Sequence, residues 1–577
     1  MIPSLERLVV LARPEERLQP IITRMARGGE NIFGLALVVD ESMVLQGVIN
    51  HGDVLRLLAD GVSLESAASE VMVRKPITAQ LGATDEQVLQ TVRSQLFQRS
   101  RGRKDLTRYV PLLDENGVVC DVVDVFLLLA RSPRQGDFVA VYGMGFVGLT
   151  LAAALAGRGH VVTGIDTNEA LVERLLAGQT HVFEPRLSDM MRRAMDDKRL
   201  VFRTTPNQEH HRVVIIAVGT PVENDGSPSL AALQAVCETV GRRLRRGDLV
   251  MLRSTVPVGS TRGFVRELLE KGSGLRAGEE FHLAFTPERT VEGQAMRELI
   301  TLPQIVGGLS SHCAEKATAF WQTLTDSVVH VDNLEAAELV KLINNSYRDL
   351  SFAFANGLAL LADRFNLDAA RVIAAANEGY PRNPIPRPSP GVGGYCLTKD
   401  PFLYAAIDPE SGHGLLACLG RMVNQQASHY PVEVLSRFAG RLGRSLPQIS
   451  VLLVGMAFKG WPETNDLRGS VSVDIGCELV RLGCEVMGYD AVVDDVAIQA
   501  LGIKPVTLHE AASRCDALLI LNNHPHNVPD GLIARLLGRQ VLIFDGWSQL
   551  DRHEVEQHNC IVYATMGYIT PERASVL

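Results

Sequence analysis

The sequence predicts an α/β protein with two doubly wound parallel sheets, joined by a long central helix and preceded by a smaller α+β pair. Three patterns carry that expectation. Short apolar runs alternate with helical stretches twice, over 138–285 and again over 449–545, which is how strand–helix–strand units with parallel strands read. Between them Leu334 to Phe365 is a helical pattern without proline, and at 1.5 Å per residue it would span about 45 Å. Ahead of both, residues 1–135 hold two similar strand–turn–strand units.

Size and composition bound the function. The 577 residues leave room for about three or four domains. Hydrophobic residues are 46% and charged residues 21%, as in globular proteins. The net charge of −9 argues against a broad nucleic-acid footprint. No apolar run approaches the roughly 20 residues of a membrane span, and Met1-Ile-Pro-Ser-Leu-Glu-Arg lacks the layout of a secretory signal. The nine Cys are scattered without a CxxC pair, which suggests reduced thiols in a cytoplasm rather than disulfides or a metal cluster.

In the first region, 1–135, Ala36-Leu-Val-Val-Asp40 leads through a turn into Gln46-Gly-Val-Ile-Asn50-His51-Gly52-Asp53. Tyr109-Val-Pro-Leu-Leu-Asp114-Glu-Asn116-Gly117 leads into Val118-Val-Cys-Asp121-Val-Val-Asp124, and Asn-Gly is a strong hairpin signal. The basic run Arg99–Arg108 reads as solvated surface. Between the units, Ala68-Ser-Glu-Val-Met72-Val-Arg-Lys-Pro76 resembles the linker of a tandem CBS pair. That resemblance implies a sensor for adenine nucleotides, with Asp53 on the ligand ribose. Asp121-Val-Val-Asp124 lacks the usual Gly-Ile-[Val/Ile]-Thr start, so a packing or dimerisation module is the alternative. Arg131–Gly136 reads as a linker.

The second region, 137–331, opens with the strand run Phe138–Tyr142, followed by Val161–Asp166, Val213–Val218, Asp248–Leu252 and His282–Phe285. Gly143-Met-Gly145-Phe146-Val147-Gly148 follows the first strand and opens a helix, a Rossmann-like fingerprint. Gly143 permits the tight turn, Gly145 lets backbone N–H groups approach a pyrophosphate, and Gly148 lets the helix pack closely. Asp166 ends the next strand at the spacing that suits the adenosine ribose, and it would repel a 2′-phosphate, so NAD is expected rather than NADP.

The third region, 332–430, shows no strand signal. Glu338, Lys341 and Asn345 share one face of its long helix, among apolar neighbours that imply burial. A buried Lys and Asn need partners, and a substrate oxygen would serve. Gly391-Val-Gly-Gly394-Tyr-Cys396-Leu-Thr-Lys399-Asp400 puts a thiol, an ammonium and a carboxylate in one short loop. A cation near the sulfur would lower its pKa and favour the nucleophilic thiolate. The fourth region, 445–577, has strand runs at Ile449–Gly455, Glu485–Asp490, Ala517–Leu521 and Val541–Asp545, a second Rossmann-like sheet.

From about 137 to 577 these motifs together resemble the UDP-glucose/GDP-mannose dehydrogenase family. The resemblance rests on the fingerprint with Asp166, Ala217-Val-Gly-Thr220-Pro221 with Asp225-Gly226, and Arg253-Ser-Thr255-Val-Pro-Val-Gly259. It also rests on Pro287-Glu288-Arg289-Thr-Val-Glu-Gly293, the Glu338–Asn345 helix, the Cys396 loop, Gly455–Lys459 and Asp466-Leu-Arg468-Gly-Ser470.

The family implies NAD-dependent, four-electron oxidation of the C6 hydroxyl of a UDP-sugar to the uronate, supplying surface-polysaccharide precursors. Cys396 would carry a thiohemiacetal and then a thioester. Lys341 would stabilise the oxyanion and Asn345 hold the substrate oxygen. Asp400 would position water, Glu288 assist thioester hydrolysis, and Thr255 orient that water. Phe146, Val147, Thr220, Pro221 and Arg468 would lie along NAD; Glu338, Arg382, Gly394, Lys399 and Lys459 would contact the substrate.

Pro287-Glu288-Arg289 and Tyr380-Pro-Arg382 look like the UDP-N-acetylhexosamine branch, particularly UDP-N-acetylmannosamine, whereas Lys399 is commoner in the UDP-glucose branch. Arg382 would reach across a homodimer, and Trp547 stands where the family often has Arg. Two alternatives stay open: a two-electron β-hydroxyacid-type dehydrogenase needing no nucleophilic Cys, and a non-catalytic adenine-nucleotide sensor.

Overall fold

The computed structural model describes residues 9–27, 34–50, 53, 54, 57, 61–83, 87, 88, 91, 92, 109–124, 137–223, 228–325, 327–365, 367–382, 384–408, 410 and 412–570. The expectations placed on His51-Gly52, the basic run 99–108, the linker 131–136 and Asp225-Gly226 lie outside them. The chain divides into two compact units, Met1–Gln135 and Gly136–Leu577.

The first unit contains two three-stranded sheets of the same design. In one, Val10–Ala12 (β1) runs parallel to Leu35–Val39 (β2), which pairs antiparallel with Leu45–Asn50 (β3). In the other, Ala79–Gln80 (β4), Tyr109–Leu113 (β5) and Val119–Asp124 (β6) repeat that order and those senses. The hairpin turns are built alike. Asp40 accepts from the backbone N–H of Ser42 and Val44 at 2.9 and 3.0 Å; Asp114 accepts from Asn116 and Val118 at 2.9 and 2.8 Å. Such side-chain-to-backbone bonds are what make Asp a turn former. The two turns also pair with each other, Leu45 N–H donating to Gly117 O at 3.1 Å and Val119 N–H to Met43 O at 3.0 Å.

The second unit begins with an eight-stranded sheet. Its strands are Phe138–Tyr142 (β7), Val161–Ile165 (β8), Leu200–Arg203 (β9), Val213–Ile216 (β10), Leu249–Leu252 (β11), His282–Phe285 (β12), Gln304–Gly308 (β13) and Val328–His330 (β14). The spatial order is β14-β13-β12-β11-β10-β7-β8-β9, parallel except for the β12/β13 pair. The helix Phe146–Gly157 (α1) is buried along Gly148–Ala156, because it lies between the sheet and the helix Leu187–Asp196. A helix apolar all round is what such a position demands.

The sequence expectation missed β9, β13 and β14. β13 contains Gly307 and Gly308, which weaken a strand pattern. A Cβ on Gly307 would lie 2.2 Å from Asn333 O, so the glycine is what lets the central helix start against the sheet.

That helix, Leu334–Arg364 (α3, counting Ala231–Gly241 as α2), is capped by Asn333, whose side chain accepts from Ala336 N–H at 2.8 Å. It packs against Tyr395–Ala405 (α4) and Leu415–Arg441 (α5). α5 runs through the boundary expected at residue 430 and contains Pro431. The last sheet comprises Ser450–Val454 (β15), Glu485–Tyr489 (β16), Lys504–Pro505 (β17), Ala517–Ile520 (β18), Val541–Asp545 (β19), Ile561–Thr565 (β20) and Tyr568–Ile569 (β21), in the order β17-β16-β15-β18-β19-β20-β21. Among the described residues no helix is long and apolar enough to cross a membrane.

Candidate active site

The site lies where the C-terminal ends of the first sheet, α3, the start of α4 and the segment after β15 meet. At the first of these, Gly143 turns with φ 91°, and a Cβ there would lie 2.8 Å from Ala217 O. Met144 N–H donates to Asp166 at 2.7 Å, so the acid is fixed beside the turn. Gly145 stands at the N-cap of α1 with nothing within 4 Å of a Cβ position. Phe146 and Val147 form the first turn. An empty space facing free helix N–H groups fits the diphosphate of a dinucleotide, and Asp166 retains lone pairs for ribose hydroxyls. Thr220, followed by Pro221, donates its hydroxyl to Thr255 O at 2.5 Å, and Ser254 donates to Val218 O at 2.7 Å. The segments after β10 and β11 are thereby stitched together along the cleft.

Cys396 is the second residue of α4, and Gly394 caps that helix with φ 90°. A Cβ on Gly394 would stand 2.8 Å from the Phe458 ring, and its N–H donates to Gly469 O at 3.0 Å. The thiol is open to solvent but walled by protein around it. Burial pushes its pKa up; Lys341 opposes, Asp400 adds to the rise, and Lys399 opposes more weakly. The expected lowering by the adjacent cation is corrected: burial wins, and the leading cation is Lys341, supplied by α3. Lys399 is buried and ion-paired to Asp400 at 2.9 Å. Asn345 Nδ2 donates to the other oxygen of Asp400 at 2.6 Å. Thus Lys341, Asn345, Cys396 and Asp400 come together around α3 and α4.

Two of the expected site glutamates are held in buried hydrogen bonds. Glu288 is buried against Arg253, which donates from Nε at 2.9 Å and Nη2 at 2.6 Å, and it accepts from Thr290 N–H at 2.6 Å. Burial pushes this carboxyl up, but Arg253, Thr290 and Lys341 together hold it below its ordinary value. Both oxygens accept hydrogen bonds, so it anchors its segment. Glu338 is buried too, accepting from Gly259 N–H at 2.6 Å and from Thr261 N–H and Oγ1 at 2.8 and 2.5 Å. It fastens the 255–261 segment to α3.

A further carboxylate whose charge reaches the thiol, after that of Asp400, is Glu292, which carried no expected role. Burial and then Asp466 push it up, Thr464 donates to it at 2.9 Å, and its charge acts on Cys396. Lys459 donates to Glu292 O at 2.5 Å, and burial lowers its ammonium to about 8. Arg468 forks onto Asp466 at 2.6–3.0 Å and lies over the Tyr395 ring at 5.3 Å. Arg382 is exposed, with its guanidinium 5.2 Å from the Tyr380 ring centroid, and is not brought to the thiol. Trp547 donates its indole N–H to Leu521 O at 2.9 Å.

A buried polar network holds the thiol loop. Arg421 pairs with Asp349 at 2.6 Å, Asn424 donates to Asp349 at 2.8 Å, Asn356 donates to Asn424 at 2.9 Å, and Ser389 N–H donates to Asn356 at 2.8 Å. The bonds from Arg421 and Asn424 end on one oxygen of Asp349, while its other oxygen is buried without a hydrogen-bond partner among the described residues. Among the described residues no group of His, Cys, Asp and Glu could hold a metal ion.

Residues 138–325 match the NAD binding domain of the UDP-glucose/GDP-mannose dehydrogenase family, 335–424 its central domain and 452–552 its UDP binding domain. A UDP-N-acetyl-D-mannosamine dehydrogenase of Yersinia pestis is 32% identical over 402 residues, which is 67% of this chain and 94% of that protein. An NDP-N-acetyl-D-galactosaminuronic acid dehydrogenase of Ralstonia solanacearum is 32% identical over 394 residues, 67% of this chain and 90% of that protein. The solved structure of a UDP-D-ManNAc dehydrogenase from Pyrococcus horikoshii has a TM-score of 0.67 at 28% identity, covering 74% of this chain and 99% of that one.

Proposed function

The chain belongs to the UDP-glucose/GDP-mannose dehydrogenase family and is an NAD-dependent nucleotide-sugar dehydrogenase; from that premise we propose that it oxidises the C6 hydroxyl of a UDP-N-acetylhexosamine to the uronate, with Cys396 as covalent nucleophile. The observation that carries the reading is the solvent-open thiol at the start of α4 with Lys341 as its leading cation. Two NAD, bound one after the other, would each supply a hydride acceptor for C6, the first for the alcohol and the second after sulfur has added.

Burial keeps Cys396 protonated at rest, and Lys341 is placed to stabilise the thiolate and then the oxyanion that forms when sulfur adds to the aldehyde carbon. Loss of the second hydride leaves a thioester on Cys396. Water adds to its carbonyl, the C–S bond breaks, and the uronate leaves as the thiol regains its proton. Asp400, held by Asn345 and Lys399, keeps Asn345 turned to the cleft. The N-acetylhexosamine is favoured by the acetamido sugars named in the two relatives.

We also propose a cytoplasmic homodimer through the outer faces of α3 and α5, where Tyr347, Phe354, Leu361, Leu416, Leu419 and Met422 are exposed. The unit 1–135 is proposed to be a regulatory module for an adenine nucleotide. Its support is the repeated sheet design and the reciprocal Asn50–Asp53 bonds of 3.1 and 2.9 Å at the end of β3; calorimetry with ATP, ADP and AMP tests it, and no heat with any of them leaves a structural module.

The deciding experiment is NADH yield per sugar nucleotide over a panel of UDP-hexoses, UDP-N-acetylhexosamines and GDP-mannose. Two NADH per UDP-N-acetylhexosamine, with loss of steady turnover in Cys396→Ala, is the expected result. One NADH per substrate, indifferent to Cys396, would mean two-electron chemistry.

A further inference from the structure

A second cavity, of about 390 Å³, lies on the face of the first sheet opposite α1. Its floor is Ala140, Tyr142 and Val214, and its walls are the segment 208–211 and the turn that follows α2. None of the residues placed at the cofactor or thiol lines it. Three polar groups converge there without being used up. Tyr142 is only 5% exposed, and its hydroxyl makes no hydrogen bond to a described residue. His211 is buried and spends Nε2 on Thr163 Oγ1 at 2.9 Å, leaving Nδ1. Arg243 spends Nη2 on the carbonyls of Asn207 and Glu209, which orients the guanidinium and leaves Nε and Nη1. Its charge acts on both Tyr142 and His211.

The charge of the lining is positive once internal pairs are removed. Asp248 is paired with His210 at 3.0 Å and accepts from Arg245 N–H at 2.7 Å. Glu209 is exposed at the rim. Arg242, Arg243 and Arg245 remain, and they outweigh the carbonyl end of α2 that also borders the space. Buried donors left without partners in a cavity of ligand size mark a binding site.

We propose that this cavity is a second ligand site that takes a small oxyanion, with the Tyr142 hydroxyl and the Arg243 guanidinium as its donors. Two covalent and hydrogen-bonded paths tie it to the cofactor. Tyr142 is followed directly by Gly143, and Thr163, bonded to His211, lies on the strand that ends at Asp166. An occupant therefore alters NAD affinity, and NAD alters the occupant's affinity by the same factor.

The test is calorimetry on the full chain saturated with NADH and UDP, so that the diphosphate sites are filled, titrated with inorganic phosphate and separately with malonate. The expected result is one site for at least one anion, weakened roughly tenfold or more in Tyr142→Phe and in Arg243→Gln, as loss of a charge-assisted hydrogen bond implies. Phosphate alone assigns a phosphorylated ligand, and malonate alone a carboxylate. Tyr142→Phe removes one oxygen and keeps the fold testable even where Arg243→Gln loosens the 207–209 segment. Binding of neither anion, or binding unchanged in both variants, overturns the proposal.

Discussion

The two large sheets end their first strands in the same way. β7 is followed by Gly143 at φ 91° and Met144, β15 by Gly455 at φ 90° and Met456. Met144 N–H donates to Asp166 after β8 at 2.7 Å, and Met456 N–H donates to Asp490 after β16 at 2.6 Å. The likeness stops one residue later. Gly145 caps α1 at once and faces open space. In the place of Gly145 stands Ala457, buried and donating its N–H to Asp490 at 3.0 Å, and the chain continues to Val471 before a helix begins. An acid-tied glycine turn is thus a folding device shared by both sheets. Only the first adds the empty cradle and helix N-terminus that a diphosphate needs. The second turns the intervening segment outward and supplies Lys459 and Arg468 to the cleft instead.

Swapping the same substitution between the sheets should break the pair most clearly. Asp166→Ala removes the acid at a ribose and should weaken NADH binding roughly 10- to 100-fold, the scale of one or two hydrogen bonds to a charged group. Asp490→Ala should lower stability and leave NADH affinity within about twofold, since no cofactor cradle stands beside it. Fluorescence titration with NADH reads both; equal losses would mean that the second turn also shapes the cofactor site.

The two glutamates of 288–292 sharpen the contrast at shorter range. Glu288→Gln leaves Arg253 buried without its anion, which costs about 3–5 kcal/mol and should appear as a large fall in the denaturation midpoint. Glu292→Gln removes a carboxyl whose charge reaches the thiol and should change stability by less than about 1 kcal/mol while lowering kcat. Urea unfolding and steady-state rates on both variants separate anchor from reactive group. A slow but fully stable Glu288→Gln would show that the ion pair with Arg253 is dispensable.

What the sequence revealed follows the range of the interactions. β12 and β19 were legible to the residue because each is an unbroken apolar run, His282–Phe285 and Val541–Asp545. β13 and β20 were not, the first for its glycines. Within the site, groups that act in one segment could be read, as in Gly143–Gly148 and Cys396–Asp400. Pairs closed by the fold could not: Arg253 with Glu288, Glu338 with Gly259, Asn345 with Asp400. The direction of the thiol shift was misread for the same reason. Spacing shows that a lysine is near a cysteine, but the burial that outweighs it is a property of three elements at once.

The smallest effect belongs to Lys459, in the segment that only the second sheet adds. Burial lowers its ammonium from 10.5 to about 8, so the native state gives up this proton more readily than the unfolded chain does. Below pH 8 both states hold the proton and the burial penalty is fully present. Between pH 8 and 10.5 the unfolded chain binds more protons, and stability rises with pH across that window. Lys459→Met should therefore be slightly more stable than the parent at pH 7, with the gain shrinking as pH approaches 10.5, and it should bind the sugar nucleotide more weakly. Urea midpoints at pH 7, 9 and 10.5 give the answer. A variant less stable at every pH would mean that the bond from Lys459 to the Glu292 carbonyl outweighs burial, and that the segment after β15 is held by this lysine rather than strained by it.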